Sequence, residues 1–174
     1  SLWAVKKLGA NYRYDTKFYV QGDHMHIEGS NDPYMSNEKM IYIISSLNKL
    51  GIKRLKTITF NNNIQINPSA TANPHTERYP SFDSQYHINL LQKYFNTANW
   101  TDSLKADYKK YSNLAAKGRY VSNPTFSVQN IYPTFINPFG VVAYPIIPQG
   151  MRILTLRSPQ LHKYLKNLNG WSNN

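Results

Sequence analysis

The stretch from Asp23 to Asn63 constrains the fold more than any other part of the sequence. It opens with an alternating pattern that places Met25 and Ile27 on one face of a strand. The residues of the opposite face are polar: His24, His26 and Glu28. Turn-forming residues at positions 29–33 then interrupt the pattern. The sequence therefore predicts a half-buried strand that ends in a turn.

An amphipathic helix is predicted directly after this turn. Ser36 stands where an N-cap is expected, and Glu38 lies in the first turn, where the helix dipole favours an acid. Apolar residues then recur at helical spacing up to Gly51, a residue typical of the C′ position. They are Met40, Ile41, Ile44, Leu47 and Leu50. A returning strand is predicted over residues 55–60.

The remaining segments predict further helices and short strands. Residues 1–9 have the spacing of a helix that closes at a glycine, and residues 12–20 have the spacing of a strand. Residues 61–80 have the composition of a loop, and residues 120–156 are rich in β-branched and aromatic residues interrupted by prolines. The terminal segment predicts a helix in which Ser158 is the N-cap and Pro159 occupies the first position.

Two more helices are predicted between residues 81 and 118, arranged as a helical hairpin. The second would begin at Thr101 and end at Gly118. The apolar stripe predicted for the first consists of Tyr86, Leu90, Leu91, Tyr94 and Phe95. The stripe predicted for the second consists of Leu104, Tyr108, Tyr111, Leu114 and Ala115. The predicted class is α+β, with a small mixed or antiparallel sheet, a packed amphipathic helix, the helical hairpin and flanking terminal helices.

The charge of the chain leaves two interpretations open. The sequence holds 20 Lys and Arg against 9 Asp and Glu, a formal net charge of +11. A basic surface attracts polyanions, but the cations are scattered along the chain, which favours a generally basic, solvated surface. The chain has no cysteine, and no apolar run approaches the length of about 20 residues that a membrane span needs.

His24 and His26 lie on one face of the first predicted strand and could act as metal ligands. No third ligand accompanies them in the sequence nearby, so we interpret them as polar residues of a strand face. No pattern in the chain predicts a metal or an organic cofactor.

Three groups of residues resemble family S13 of the D-alanyl-D-alanine carboxypeptidases, the class C low-molecular-mass penicillin-binding proteins. The first is A-x-x-x-L-G-x-x-Y-R-Y-x-T, which begins at Ala4. The second is G-S-x-D-P-x-M-S, from Gly29, together with the helix and strand after it. The third is S-P-x-L-x-x-x-L-x-x-x-N-x-x-S-N-N, from Ser158 to Asn174.

The resemblance implies a division of the chain. Residues 1–9 would be the stub of the nucleophile-bearing helix, and residues 10–150 would form an inserted accessory domain. Residues 151–174 would be the strand and helix that return to the transpeptidase core. The helical region 81–118 departs from the family, whose insert is richer in strands.

The resemblance also identifies candidate catalytic residues. Enzymes of this type use three motifs, S-x-x-K, S-x-N and K-T-G. Ser172 and Asn174 match the serine and asparagine of S-x-N. The nucleophile and the K-T-G strand are expected outside the chain, and the nearest match to the latter, Lys56-Thr57-Ile58, lacks the glycine. We therefore expect this chain to be inactive alone.

The resemblance implies peptidoglycan stem peptides and β-lactams as ligands of the parent enzyme, in the periplasm or cell envelope. The basic surface would suit an anionic cell-wall polymer better than nucleic acid. Two other hypotheses remain open, a stand-alone polyanion-binding module and a non-enzymatic scaffold that is related to these enzymes.

Overall fold

The computed structural model of the protein describes residues 2–33, 35–68, 84–134 and 150–163. Helices and strands alternate along most of the chain. The helices are α1 (Leu2–Leu8), α2 (Asn37–Lys49), α3 (Ser84–Tyr94) and α4 (Asp102–Leu114), with a short 3-10 turn at Thr97–Asn99. The strands are β1 (Asp15–Gln21), β2 (His24–Glu28), β3 (Arg54–Phe60), β4 (Ser127–Pro133) and β5 (Met151–Arg157).

The strands form one mixed sheet in the order β4-β3-β2-β1-β5. β1 is antiparallel to both of its neighbours, whereas β2, β3 and β4 are parallel to one another. Parallel neighbours need crossover connections, which α2 supplies between β2 and β3, and α3 with α4 between β3 and β4. The mixed sheet and its helices confirm the predicted α+β class.

The hairpin of β1 and β2 has the predicted alternation of faces. Its register places Phe18 opposite Ile27 and Val20 opposite Met25. Phe18 and Met25 are fully buried, and Ile27 is 1% exposed. Side chains of paired residues lie on the same face of a sheet, so these residues form one continuous apolar face.

α2 begins and ends where the sequence predicts. The Ser36 hydroxyl accepts the Lys39 backbone N–H at the N-terminus. At the C-terminus Gly51 has a φ of 82°, the left-handed conformation that favours glycine. The Gly51 N–H donates to Asn48 O and the Ile52 N–H donates to Leu47 O, the two bonds of a Schellman motif.

α2 lies at the centre of the hydrophobic core and contacts both α3 and α4. Its apolar residues belong to one cluster with those of β1, β2 and β3 and with aromatic residues of the two later helices. Burying each large apolar side chain contributes roughly 1.5–3 kcal/mol relative to leaving it exposed. The core therefore joins the β2–α2–β3 unit to both crossover connections.

Two predictions for the later helices are wrong in detail. In α3 the predicted Leu91 and Tyr94 are buried, but the third buried residue is His87, whose Nε2 accepts the Ile66 N–H, while Tyr86 is 41% exposed. α4 ends at Leu114, before Gly118, because Ala115 has extended backbone angles. Leu114 itself is 76% exposed and does not belong to the buried stripe.

Some predicted features lie outside the described residues. These are the strands between 135 and 149, most of the loop at 61–80, and the terminal helix beyond residue 163. Within the described ranges, no helix combines the length and apolar character required to cross a membrane.

Candidate functional site

The predicted catalytic residues Ser172 and Asn174 lie outside the described residues. The structure does describe the segment that leads toward them, residues 150–163, and the partners that hold it. These partners belong to residues 10–21, directly after α1. We call this association of residues 10–20 with residues 151–162 the terminal junction.

The first component of the terminal junction is the pairing of β5 with β1. Their register runs from Asp15 opposite Arg157 to Val20 opposite Met151. The Arg157 guanidinium donates two hydrogen bonds of 2.9 Å to the Asp15 carboxylate. These hydrogen bonds lower the pKa of Asp15 from its ordinary value. The charge-assisted fork fixes the register at the end of β5.

Ser158 is the second component and is 1% exposed. Its N–H donates to Tyr14 O, and its hydroxyl oxygen accepts the Tyr14 N–H, both at 2.8 Å. The Arg13 guanidinium donates to Ser158 O at 2.9 Å. The predicted N-cap role of Ser158 is wrong, because its hydroxyl oxygen binds Tyr14 and the terminal helix starts at residue 161.

The third component is the start of the terminal helix. The Leu161 N–H donates to Tyr12 O at 2.8 Å, and the His162 N–H donates to Ala10 O at 3.1 Å. The first N–H groups of a helix lack partners within the helix, so these carbonyls satisfy them. The terminal helix therefore starts against residues 10–12, next to the end of α1. The Tyr12-Arg13-Tyr14 motif contributes to this contact. No local sequence pattern predicts that it pairs with a segment so far along the chain.

The S-x-x-K spacing occurs twice in the chain, although the nucleophile is expected outside it. In Ser36 to Lys39 the serine is the N-cap of α2, while the Lys39 ammonium donates to Asp32 at 2.6 Å. In Ser46 to Lys49 the serine hydroxyl donates to Tyr42 O, and the lysine donates to Gly118 O. In both motifs the lysine is bonded to a partner other than the serine, so we interpret both motifs as structural.

Lys56-Thr57-Ile58 cannot act as a substrate-binding K-T-G strand. It lies in β3, which pairs with β2 on one side and β4 on the other. A peptide substrate adds to a free strand edge, and β3 has none. Its position inside the sheet therefore adds to the missing glycine as an argument against a substrate-binding role.

His24 and His26 are joined through one hydroxyl. Thr59 Oγ1 lies 3.1 Å from His24 Nε2 and 2.9 Å from His26 Nδ1. A hydroxyl has one proton, so it donates to one imidazole and accepts from the other. Burial lowers the pKa of both histidines. The parts of the chain that the structure describes contain no cluster of three metal-ligating side chains.

A polar cleft of about 220 Å³ lies where the start of α2 meets α3 and α4. The Tyr94 hydroxyl donates to Asn37 Oδ1 at 2.7 Å, and Asn37 Nδ2 donates to Asp107 Oδ2 at 2.8 Å. Burial raises the pKa of Tyr94. This relay joins the three helices and has no counterpart among the sequence predictions.

The fold is similar to that of solved predatory endopeptidases. The predatory endopeptidase Bd0816 of Bdellovibrio bacteriovorus, solved with immunity protein Bd3460, is 27% identical with a TM-score of 0.72. The alignment covers 99% of this chain and 44% of that chain. A form of the predatory endopeptidase Bd3459 from the same organism is 26% identical with a TM-score of 0.63, covering 97% of this chain and 40% of that chain.

No protein-family model matches the chain, and no curated protein does. The chain spans less than half the length of the solved structures it matches. Both similarities are to endopeptidases, in agreement with the peptidase relationship that the sequence motifs suggest.

Proposed function

We propose that the chain is part of a serine-type, penicillin-binding peptidoglycan hydrolase that cleaves D-alanyl-D-alanine-derived peptide bonds. In this proposal residues 1–9 end the nucleophile-bearing helix, residues 10–150 form the inserted domain, and residues 151–174 return to the S-x-N motif. The observation that carries the proposal is the similarity to Bd0816 over 99% of this chain.

The terminal junction supports this division. An inserted domain must return the chain close to the point where it left the core. Here the segment after α1 and the segment leading into the terminal helix are bonded side by side, through Tyr12, Tyr14 and Ser158. Small errors in the relative position of catalytic groups are costly for catalysis, and the junction supplies a rigid connection between the two segments.

In the proposed enzyme the nucleophile and its lysine come from outside this chain, and Ser172 with Asn174 complete the site. The Ser172 hydroxyl transfers a proton to the leaving amine, and the Asn174 amide binds the substrate backbone. The chain itself would be inactive, because it supplies neither the nucleophile nor the substrate-binding strand. The site of action would lie in the periplasm or cell envelope.

The relatives suggest an endopeptidase activity and a probe for it. Bd3459 has been solved acylated by penicillin G and in complex with immunity protein Bd3460. A β-lactam is therefore expected to acylate the complete polypeptide that contains this chain. Cleavage of cross-links between stem peptides is the favoured reaction, with removal of a terminal D-alanine as the carboxypeptidase alternative.

The test is digestion of cross-linked muropeptides by the complete polypeptide. We expect cleavage that penicillin inhibits, and a loss of roughly 10²–10⁴-fold in rate on Ser172→Ala, the usual contribution of a positioned proton-transfer group. Ser122→Ala, at an exposed serine of the loop after α4, is the matched control and should keep the rate. A complete polypeptide that neither cleaves muropeptides nor reacts with penicillin would favour the non-enzymatic scaffold.

A further inference from the structure

Basic residues that are scattered in the sequence gather at one end of the described structure. Three segments meet there: the end of α2, the start of β3 and the turn after α4. Each carries exposed cations, and together they define what we call the basic end. Its members are Lys49, Lys53, Arg54, Lys117 and Arg119.

Hydrogen bonds fix the three segments to one another. The Asn48 amide donates to Ile52 O at 3.2 Å and to Thr125 O at 2.8 Å, and its oxygen accepts the Thr125 N–H at 2.8 Å. The Lys49 ammonium donates to Gly118 O. The cations therefore project from a framework that is already ordered, which reduces the entropy cost of binding.

The acidic residues around α2 lie toward its N-terminus, at the opposite end of the helix from the basic end. Glu38 is in its first turn, Asp107 binds Asn37 at its start, and Asp32 pairs with Lys39. Near the basic end, Asp23 adds one carboxylate beside the start of β3, where its carbonyl accepts the Lys56 N–H. This separation of charge gives the basic end a directional field, which a random distribution of cations would not.

The aromatic residues beside the basic end are packed against their neighbours. The Arg119 guanidinium lies 4.9 Å from the Tyr42 ring centroid. Tyr120 makes edge contacts of 5.6 Å with both Tyr42 and Tyr108. Proteins that bind single-stranded nucleic acid present open aromatic faces to the bases, and these rings are engaged instead. The recognition available here is therefore by charge.

We infer that the basic end binds an anionic glycan polymer of the cell wall, one that carries carboxylates or phosphates at regular intervals. The inference rests on the proposed function, which brings the chain to the wall. A second copy of the chain is a poor occupant, because two surfaces of the same charge repel each other. Binding would hold the enzyme on its polymeric substrate without contributing to the chemistry.

The test measures binding of the 174-residue chain to polygalacturonate, a linear polymer of carboxylated sugars, with neutral dextran and duplex DNA as comparisons. Two variants with the same change in net charge are compared. The first removes cations of the basic end: Lys53→Gln, Arg54→Gln and Lys117→Gln. The control removes exposed lysines of α3 and α4: Lys93→Gln, Lys109→Gln and Lys110→Gln.

We expect the wild-type chain to bind polygalacturonate at low salt and to release it as salt rises, with no binding to dextran. The basic-end variant should bind at least about tenfold more weakly, and the control variant should lose less than about threefold. Equal losses in both variants, no binding at low salt, or tighter binding to duplex DNA would each overturn the inference. Circular dichroism confirms that both variants are folded.

The outcome is separable from that of the proposed function. Normal acylation of the complete polypeptide by penicillin, without polygalacturonate binding by the chain, would refute glycan binding by the basic end but not the proposed enzyme. Polygalacturonate binding without acylation would refute the proposed enzyme and leave a polyanion-binding module.

Discussion

The β2–α2–β3 unit and the terminal junction are held together by different forces. In the unit, residues close in sequence bury apolar side chains, with Ile41, Ile44 and Leu47 fully buried. In the junction, residues more than 140 positions apart exchange backbone and polar side-chain hydrogen bonds, as between Tyr14 and Ser158. Local patterns in the sequence therefore encode the unit, whereas the junction forms only when the whole chain is folded.

The comparison assigns most of the stability to the β2–α2–β3 unit and the positioning of the proposed catalytic motif to the terminal junction. Apolar burial in the unit contributes most to the free energy of folding, because it removes a large area from water. The junction contributes less energy but determines where the terminal helix starts, and the proposed S-x-N motif follows that helix. Variants in the two regions should therefore differ both in the size and in the location of their effects.

The largest effect is expected in the unit. Ile44→Ala removes a fully buried side chain from α2 and should lower the free energy of unfolding by about 2–5 kcal/mol. Chemical denaturation measures this loss. Leu50→Ala, at the C-cap residue of the same helix, which is 52% exposed, is the control and should change it by less than about 0.5 kcal/mol. Equal losses would show that α2 is not the centre of the core.

The next effect concerns the ion pair beside the start of α2. The Asp32 side chain is 1% exposed and that of Lys39 is 19% exposed. Asp32→Asn removes one charge of a largely buried pair and should cost about 3 kcal/mol. The double variant Asp32→Asn with Lys39→Met should recover part of this loss, because no unpaired charge remains. If the double variant is less stable than the single one, the unpaired charge of Lys39 is not the cause of the loss of stability.

A smaller effect is expected in the junction. Ser158→Ala leaves the Tyr14 N–H without its hydroxyl acceptor and should cost about 1–2 kcal/mol. The comparison is Ser36→Ala, which removes the N-cap of α2 and should cost about 1 kcal/mol. Hydrogen exchange should become faster at residues 157–162 in the first variant and at the start of α2 in the second. Faster exchange throughout the chain in both would contradict the separation of the two regions.

The smallest effect is a dependence on pH. Burial lowers the pKa of His26 below its ordinary value of 6.5, so the unfolded chain binds more protons than the folded chain below that pH. The free energy of unfolding should therefore fall as the pH falls through about 6.5, and His24 acts in the same direction. His26→Asn, which keeps a partner for Thr59, should reduce the slope of Tm against pH between 7.5 and 5.5. An unchanged slope would show that His26 is not responsible.

The two regions also differ in how far the sequence could predict them. Periodicity, the Ser36 cap and Gly51 were sufficient for α2, since each is a local signal. Ser158 was misassigned as an N-cap because the Ser-Pro pattern is local, whereas its actual partner is Tyr14. His87 was missed for the same reason, since its acceptor role depends on Ile66 from another segment. Ser172 and Asn174 stay predictions that rest on a motif.

The central claim is that this chain is part of a penicillin-binding enzyme and supplies its S-x-N motif. Mass spectrometry after incubation with penicillin G tests it most directly, applied to the complete polypeptide, to its Ser172→Ala variant and to this chain alone. We expect one acyl adduct on the complete polypeptide, much slower acylation of the variant and none on the chain alone. An adduct on the isolated chain, or none on the complete polypeptide, would contradict the claim.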